Sequence, residues 1–212
     1  MKVRPISFTA GLGLFLAACS SGGPGFTTRG LIAPTAQCAV DPSSFGVGEE
    51  LTPFDEGNGC GIPNPWRMVS LSGVQLSKPA TLNCGEISAV NDWLNATVQP
   101  AAAHDFGQLI VGIDVAASYS CRARDNRRGA RMSEHGFGNA IDIFAFTLAD
   151  GRKVTVEHGW SGKSDERAFL RAVRKEACGE FTTVLGPGSD RYHYNHFHLD
   201  RAVRKNASTY CH

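Results

Sequence analysis

The chain has 212 residues, 42% of them hydrophobic and 19% charged, with 21 basic and 20 acidic side chains and a formal net charge of +1. So even a balance does not suggest a polyanion partner and speaks against nucleic-acid binding. About 150 residues lie beyond the Gly/Ser-rich N-terminal part, enough for one domain with its own core.

Lys2 and Arg4 precede "ISFTAGLGLFLAA", an apolar run too short to span a bilayer with proper flanks. This is the pattern of a secretory signal peptide. The small residues before Cys19 in "LAAC" also resemble a bacterial lipobox, which implies acylation of Cys19 and a membrane anchor at the new N-terminus. An ordinary signal peptide with a later cut is the alternative, and Cys19 is then lost with the leader. The flexible "CSSGGPG" that follows favours the lipobox. Ser20 in place of an aspartate leans towards the outer membrane by resemblance to sorted lipoproteins. The expected organisation is a signal peptide over 1–18, a lipidated N-terminus and tether over 19–57, and a single domain over 58–212 facing the periplasm. Loss of Lys2 and Arg4 takes the 21 basic residues to 19 against 20 acidic, a net of −1. The arginine-rich "RARDNRRGAR" (122–131) is therefore local and suits an anionic ligand or a carboxylate.

Of seven cysteines, six remain after Cys19: Cys38, Cys60, Cys84, Cys121, Cys178 and Cys211. An even number in an exported chain predicts three disulfides, in any of about fifteen pairings. A thiolate zinc site is disfavoured, because no CxxC pair exists and the periplasm is oxidising.

Within the domain, "GEISAVNDWLNATVQPAAA" spaces Ile87, Val90, Leu94 and Val98 as an amphipathic helix that should stop near Pro100. "GQLIVGIDVAASYSC" reads as a strand. "NAIDIFAFTL" and "RKVTVEH" read as a hairpin around "ADGR". "SDERAFLRAVRKEACG" reads as a helix capped by Ser164, with Asp165 and Glu166 at its positive end and Phe169, Leu170, Val173 and Ala177 as its buried stripe. "HYNHFHLD" (193–200) reads as a final strand. Helices set between antiparallel strands predict an α+β domain: a small antiparallel sheet with a zinc site, flanked by helices and stapled by disulfides.

Three of the chain's seven histidines fall within "HYNHFH". Strand alternation puts Tyr194, His196, His198 and Asp200 on one face, and His193 and Asn195 on the other. "SEHGFGNAID" supplies His135 on a glycine-rich loop and Asp142 at the start of a strand whose Ile141 and Ile143 face the core. His135, Asp142 and the HxH pair form a set of borderline and hard ligands that suits zinc. His104, His158 and His212 read as surface or packing residues, and His193 as a bystander.

Ser133, His135, Gly138, Ala140 and Asp142 match the S-x-H-x-x-G-x-A-x-D signature of the zinc D,D-peptidases and lysostaphin-type endopeptidases, which end their site with H-x-H. From "CGIPNPW" through "SYSCR", "SEHGFGNAID", "FLRAVRKEACGEFTTVLGPG" and "HFHLD" to the final Cys211, the chain resembles the extensin-like C-terminal family over about 58–211. The resemblance implies one zinc held by His135, Asp142 and His198, with His196 unligated beside it as the catalytic group. It implies Arg122, with Ser133, as a contact for a substrate carboxylate or the oxyanion. The implied reaction is hydrolysis of amide bonds in peptidoglycan stem peptides. One position departs from the pattern: the relatives often place an acidic base three residues before the last histidine, where this chain has Asn195. Asp190, Glu134 or His196 itself is then the base, or the domain is a zinc-containing module that binds the wall without cutting it. A metal carrier would need more soft Met and Cys ligands than the chain has.

Overall fold

The computed structural model describes residues 38–212; the segment read as a signal peptide, Cys19 and the first part of the expected tether lie outside the described residues. Two short strands and a disulfide-bonded cysteine already lie before residue 58. Cys38 is bonded to Cys84, and the strands β1 (Gly48–Glu50) and β2 (Phe54–Asp55) lie within the stretch read as tether. β2 pairs with β3 (Gly61–Ile62) in a small separate ribbon.

β4 (Pro65–Leu71) and β5 (Val74–Asn83) form a hairpin that the sequence reading left without elements. Its two-residue loop has Ser72 at φ 51° and Gly73 at φ 77°, the left-handed pair of a type I′ turn. A serine in the first of these positions hides the Asn-Gly signal by which such turns are recognised.

α1 (Cys84–Trp93) is capped by Asn83, whose side chain accepts from the Glu86 N–H at 2.8 Å. The helix does not stop at Pro100. It widens into a π-helical turn at Leu94–Val98, where the Gln99 N–H reaches the Leu94 carbonyl, and continues as α2 (Gln99–Phe106). Pro100 enters at the first turn after this widening, where its missing N–H is tolerated. The real stop is Gly107, left-handed at φ 65°.

β6 (Ile110–Ala117) leads to β7 (Ala140–Leu148) and the short β8 (Lys153–Thr155). "VEH" does not extend the hairpin; Thr155 caps a one-turn helix, α3 (Val156–Gly159), through the His158 N–H. α4 (Ser164–Glu176) follows, with Phe169, Leu170 and Val173 buried as expected and Ala177 buried just beyond it. Ser164 is the first helical residue rather than the cap; the flanking position is Lys163, which makes no side-chain cap. The chain ends with β9 (Thr183–Leu185), β10 (Phe197–Asp200) and β11 (Tyr210–Cys211).

The nine-stranded sheet runs β1-β4-β5-β6-β7-β10-β9-β11, with β8 on β7. It is antiparallel except for the β5–β6 and β9–β11 pairs, so the domain is mixed α and β with a mostly antiparallel sheet. Three disulfides, Cys38–Cys84, Cys60–Cys121 and Cys178–Cys211, resolve the pairing that spacing left open. They close loops of 46, 61 and 33 residues. Each such loop removes unfolded-state entropy of about 4 kcal/mol in the chain-entropy picture.

The helices cover one face of the sheet over a core that includes Trp93, Phe146, Phe169, Phe181 and Phe197. Trp93 Nε1 is satisfied within it by the Val173 carbonyl at 2.9 Å. The other face is polar where β7 meets β10. Alternation there sends Ile141, Ile143, Phe197 and Leu199 into the core, and Asp142, His198 and Asp200 to the opposite side. A bulge in the β6–β7 pairing then shifts the inward set of β7 to Phe146 and Leu148, and leaves Phe144 41% exposed.

Candidate metal centre

His135 sits in a single 3-10 turn (Glu134–Phe137) between β6 and β7. Gly138 ends that turn at φ 60°, and a Cβ there would lie 2.3 Å from Ile62 Cδ1 and 2.9 Å from the Asn83 nitrogen. Only glycine permits the left-handed turn and the close approach together. Two residues later β7 begins, and Asp142 lies opposite His198 in the β7–β10 register. The three side chains expected to share a metal are therefore brought together by one tight turn and one strand pair.

Their geometry is specific. His135 Nε2 lies 3.2 Å from Asp142 Oδ1 and 3.2 Å from His198 Nδ1, and His198 Nδ1 lies 2.8 Å from the same Asp142 oxygen. Tetrahedral zinc with bonds of roughly 2.0–2.1 Å needs its ligand atoms about 3.3–3.4 Å apart. The outer nitrogens are already used. His135 Nδ1 is 2.6 Å from the Ser118 carbonyl, and His198 Nε2 is 3.0 Å from Asp200 Oδ2. With those nitrogens protonated as donors, three lone-pair atoms face one point, which calls for a cation or a shared proton there. His135, Asp142 and His198 could thus hold a metal ion.

The electrostatics agree. Burial opposes the charge of Asp142, but bonds from His135 and His198 outweigh it and hold the carboxyl well below its ordinary range. Burial also opposes a charged His198, yet Asp142 and Asp200 overrule it and push the imidazole up to about 10. In the absence of a metal, a proton on His198 Nδ1 fills the place of the cation.

Asp200 completes the cluster from beneath and was not singled out as a site residue, although its place two residues after His198 on a strand put it on the right face. It is buried, accepts from His198 Nε2, and is itself fixed by the Ala202 N–H at 2.9 Å. Such a carboxylate orients the ring and raises its basicity towards a metal. Asp200→Asn is expected to keep the fold and weaken zinc binding about 10- to 100-fold, the usual effect of losing such a partner. Competition against a chromophoric chelator measures this; an unchanged affinity removes Asp200 from the centre.

The segment before β10 departs from expectation. Residues 193–196 are bends rather than strand, so alternation does not govern them. Asn195 is not turned out of play: its Oδ1 is 2.9 Å from His196 Nδ1. With Nδ1 donating to that amide, Nε2 is left with its lone pair, 3.8 Å from Asp142 Oδ2. Burial, above all, lowers His196 from its ordinary value and keeps it neutral. Phe144 meets its ring edge-on at 5.9 Å. His193, read as a bystander, lies in the same cleft. Its Nδ1 is 2.8 Å from Asp190 Oδ1, and its ring centre is 5.2 Å from that of His196.

The cluster opens onto a cleft of about 460 Å³ whose walls include Arg122, Ser133, Tyr192 and Arg204. Arg122 and Ser133 are joined through the backbone, Ser133 N–H to the Arg122 carbonyl at 3.0 Å. Glu134 and Asp190, the alternative bases, are both engaged. Arg124 and Asn139 bind Glu134 at 3.1 and 2.9 Å, and Asp190 is held by His193. Burial, above all, raises Glu134 from its ordinary value. Of the histidines read as ordinary, His104 pairs with Asp105 on the surface, and His158 and His212 lie outside the walls of the cleft.

An α+β domain with a buried His/Asp/His cluster at the floor of a polar cleft is what the fold and site define. The sequence matches the family described as extensin-like protein C-terminus over residues 36–212, and the chain belongs to that family. No curated protein and no solved structure matches it.

Proposed function

We propose that the domain is a zinc metallopeptidase of the bacterial envelope, hydrolysing amide bonds in peptidoglycan stem peptides or cross-links. The observation that carries this reading is the convergence of His135 Nε2, Asp142 Oδ1 and His198 Nδ1 within about 3 Å of one another, each outer imidazole nitrogen already occupied. The resemblance of Ser133 to Asp142 and of the HxH pair to the zinc D,D-peptidase signature supports it. A zinc ion held there supplies Lewis acidity to a water and to a substrate carbonyl.

The remaining chemistry belongs to the chain. His196, neutral and fixed by Asn195, takes a proton at Nε2 on the cluster side and can return it to the leaving amine. Arg122 contributes a guanidinium to the wall of the cleft, suited to a carboxylate or to the developing oxyanion, and Ser133 lies beside it. Asp142 turns Oδ1 to the two ligand imidazoles and Oδ2 towards His196, and so ties the metal ligands to the acid–base group. Acylation of Cys19 anchors the protein in the envelope, in reach of this substrate.

A second reading, a wall-binding lipoprotein whose metal is structural, is favoured by one observation. An amide, Asn195, occupies the place of the usual carboxylate base, and the two nearby acids are bound elsewhere. Digestion of purified sacculi with and without a chelator, followed by mass analysis of the soluble products, separates the two. New muropeptides that disappear with the chelator are expected. Binding to sacculi without any release selects the second reading.

A further inference from the structure

Alternate residues of β9 and β11 face two different spaces. Thr183, Leu185 and Tyr210 line the metal cleft, whereas Val184 and Cys211 line a second groove of about 390 Å³ on the helix side of the sheet. Its volume falls within the range of about 300–1,000 Å³ typical of small-ligand sites. Its walls carry Arg171, Arg174 and Lys175 from α4 together with His212, and no aspartate or glutamate side chain. The guanidiniums of Arg171 and Arg174 both lie over the Trp160 ring, each 5.2 Å from its centre.

The fold gains little from this arrangement. Arg171 faces Arg174 and Lys175 three and four residues on, like-charge spacings that weaken a helix. Arg174 is half-buried, yet its partners are neutral: the Pro187 carbonyl at 3.4 Å and Ser189 Oγ at 3.1 Å. Burial lowers it from its ordinary value, the mark of a cation without a counter-ion. Lys175 reaches only Glu176, its exposed neighbour, at 3.5 Å. Stacking on Trp160 holds the two forks in place while leaving N–H donors free at their edges.

We infer that this groove binds a phosphate-bearing ligand with a small apolar or sugar-like body. Arg171 and Arg174 clamp the phosphate, and Trp160, Val184 and the Cys178–Cys211 bridge form the wall for the rest. Phosphate fits better than a single carboxylate, because it offers three acceptor oxygens and up to about two negative charges to three cations. The site is independent of the metal-centred reading, since it lies on the opposite face of the sheet and shares no side chain with the cleft.

The test titrates glycerol 3-phosphate into the full mature chain and follows the Trp160 indole by NMR, with the buried Trp66 and Trp93 as internal references. A parallel arm uses phosphatidylglycerol vesicles against phosphatidylcholine vesicles, and shows whether the phosphate comes from a soluble ester or a lipid headgroup. Saturable binding in either arm is expected, weakened roughly tenfold or more by Arg171→Gln and further by Arg171→Gln/Arg174→Gln. Arg171 is exposed and makes no hydrogen bond that the fold depends on, so the single variant keeps the test clear of misfolding. His135→Ala, which breaks the metal cluster, should leave this binding unchanged. Absence of binding in both arms, binding that survives the double variant, or binding that follows His135 instead overturns the inference.

Discussion

Purified protein supplied with zinc should hold about one ion per chain, and His135→Ala, Asp142→Ala and His198→Ala should each lose it. The three candidate ligand atoms stand within 3.2 Å of one another, so removing any one of them leaves only two for the ion. Uptake should also release a proton. His198, raised to about 10 by Asp142 and Asp200, carries a proton on Nδ1 at neutral pH when no metal is bound. Zinc must displace that proton, so affinity should rise about tenfold per pH unit between about pH 6 and 9 and level off as His198 loses its proton unaided. Inductively coupled plasma analysis gives the stoichiometry, and calorimetry in buffers of different ionisation enthalpy counts the proton. Full retention of zinc by all three variants, or an affinity flat across that range, would falsify this assignment.

The second large effect concerns His196. His196→Ala should keep its zinc, because all three ligands remain, and lose turnover by about a hundredfold or more, the usual contribution of a positioned acid–base group. Asn195 should act through it as a positioning residue. Asn195→Leu removes the acceptor that holds His196 in one tautomer, so kcat should fall with KM little changed. Asn195→Asp keeps an acceptor at the same place and adds a charge. It should preserve activity and shift the acid limb of the pH–rate profile upward, because a carboxylate favours the protonated imidazole. His193→Ala is the control, since Asp190 holds that ring in the same cleft. A His196 variant with wild-type turnover, alongside an inactive His193 variant, moves the proton transfer to the Asp190–His193 pair.

The sequence disclosed the cluster better than its surroundings. His135, Gly138 and Asp142 were legible because a glycine-rich turn running into an apolar strand leaves few ways to place the carboxylate, and His198 alternates with Phe197 and Leu199 on β10. The α4 stripe was legible because Phe169, Leu170 and Val173 keep the helical period. Three features were hidden. Pro100 reads as a stop unless a widened turn precedes it, and the π turn at Leu94–Val98 depends on packing that no local pattern records. Residues 193–196 carry strand-like composition but are bent, and that bend brings Asn195 and His193 to the cleft, against strict alternation. The β4–β5 hairpin was missed because Ser72, not asparagine, takes the left-handed position.

The Cys60–Cys121 bridge joins the β2–β3 ribbon to the residue just before Arg122, and a Cβ at Gly136 would lie only 2.8 Å from Cys60 Sγ. The sulfur thus underlies the turn that carries His135 as well as the arm that carries Arg122. With these thiols reduced, that arm is tied to the body only through weaker contacts and the unfolded chain keeps the entropy the bridge removes. Maturation of the cleft is therefore coupled to thiol oxidation. A chain kept in a reducing compartment therefore stays short of the shape that the bridge gives the cleft.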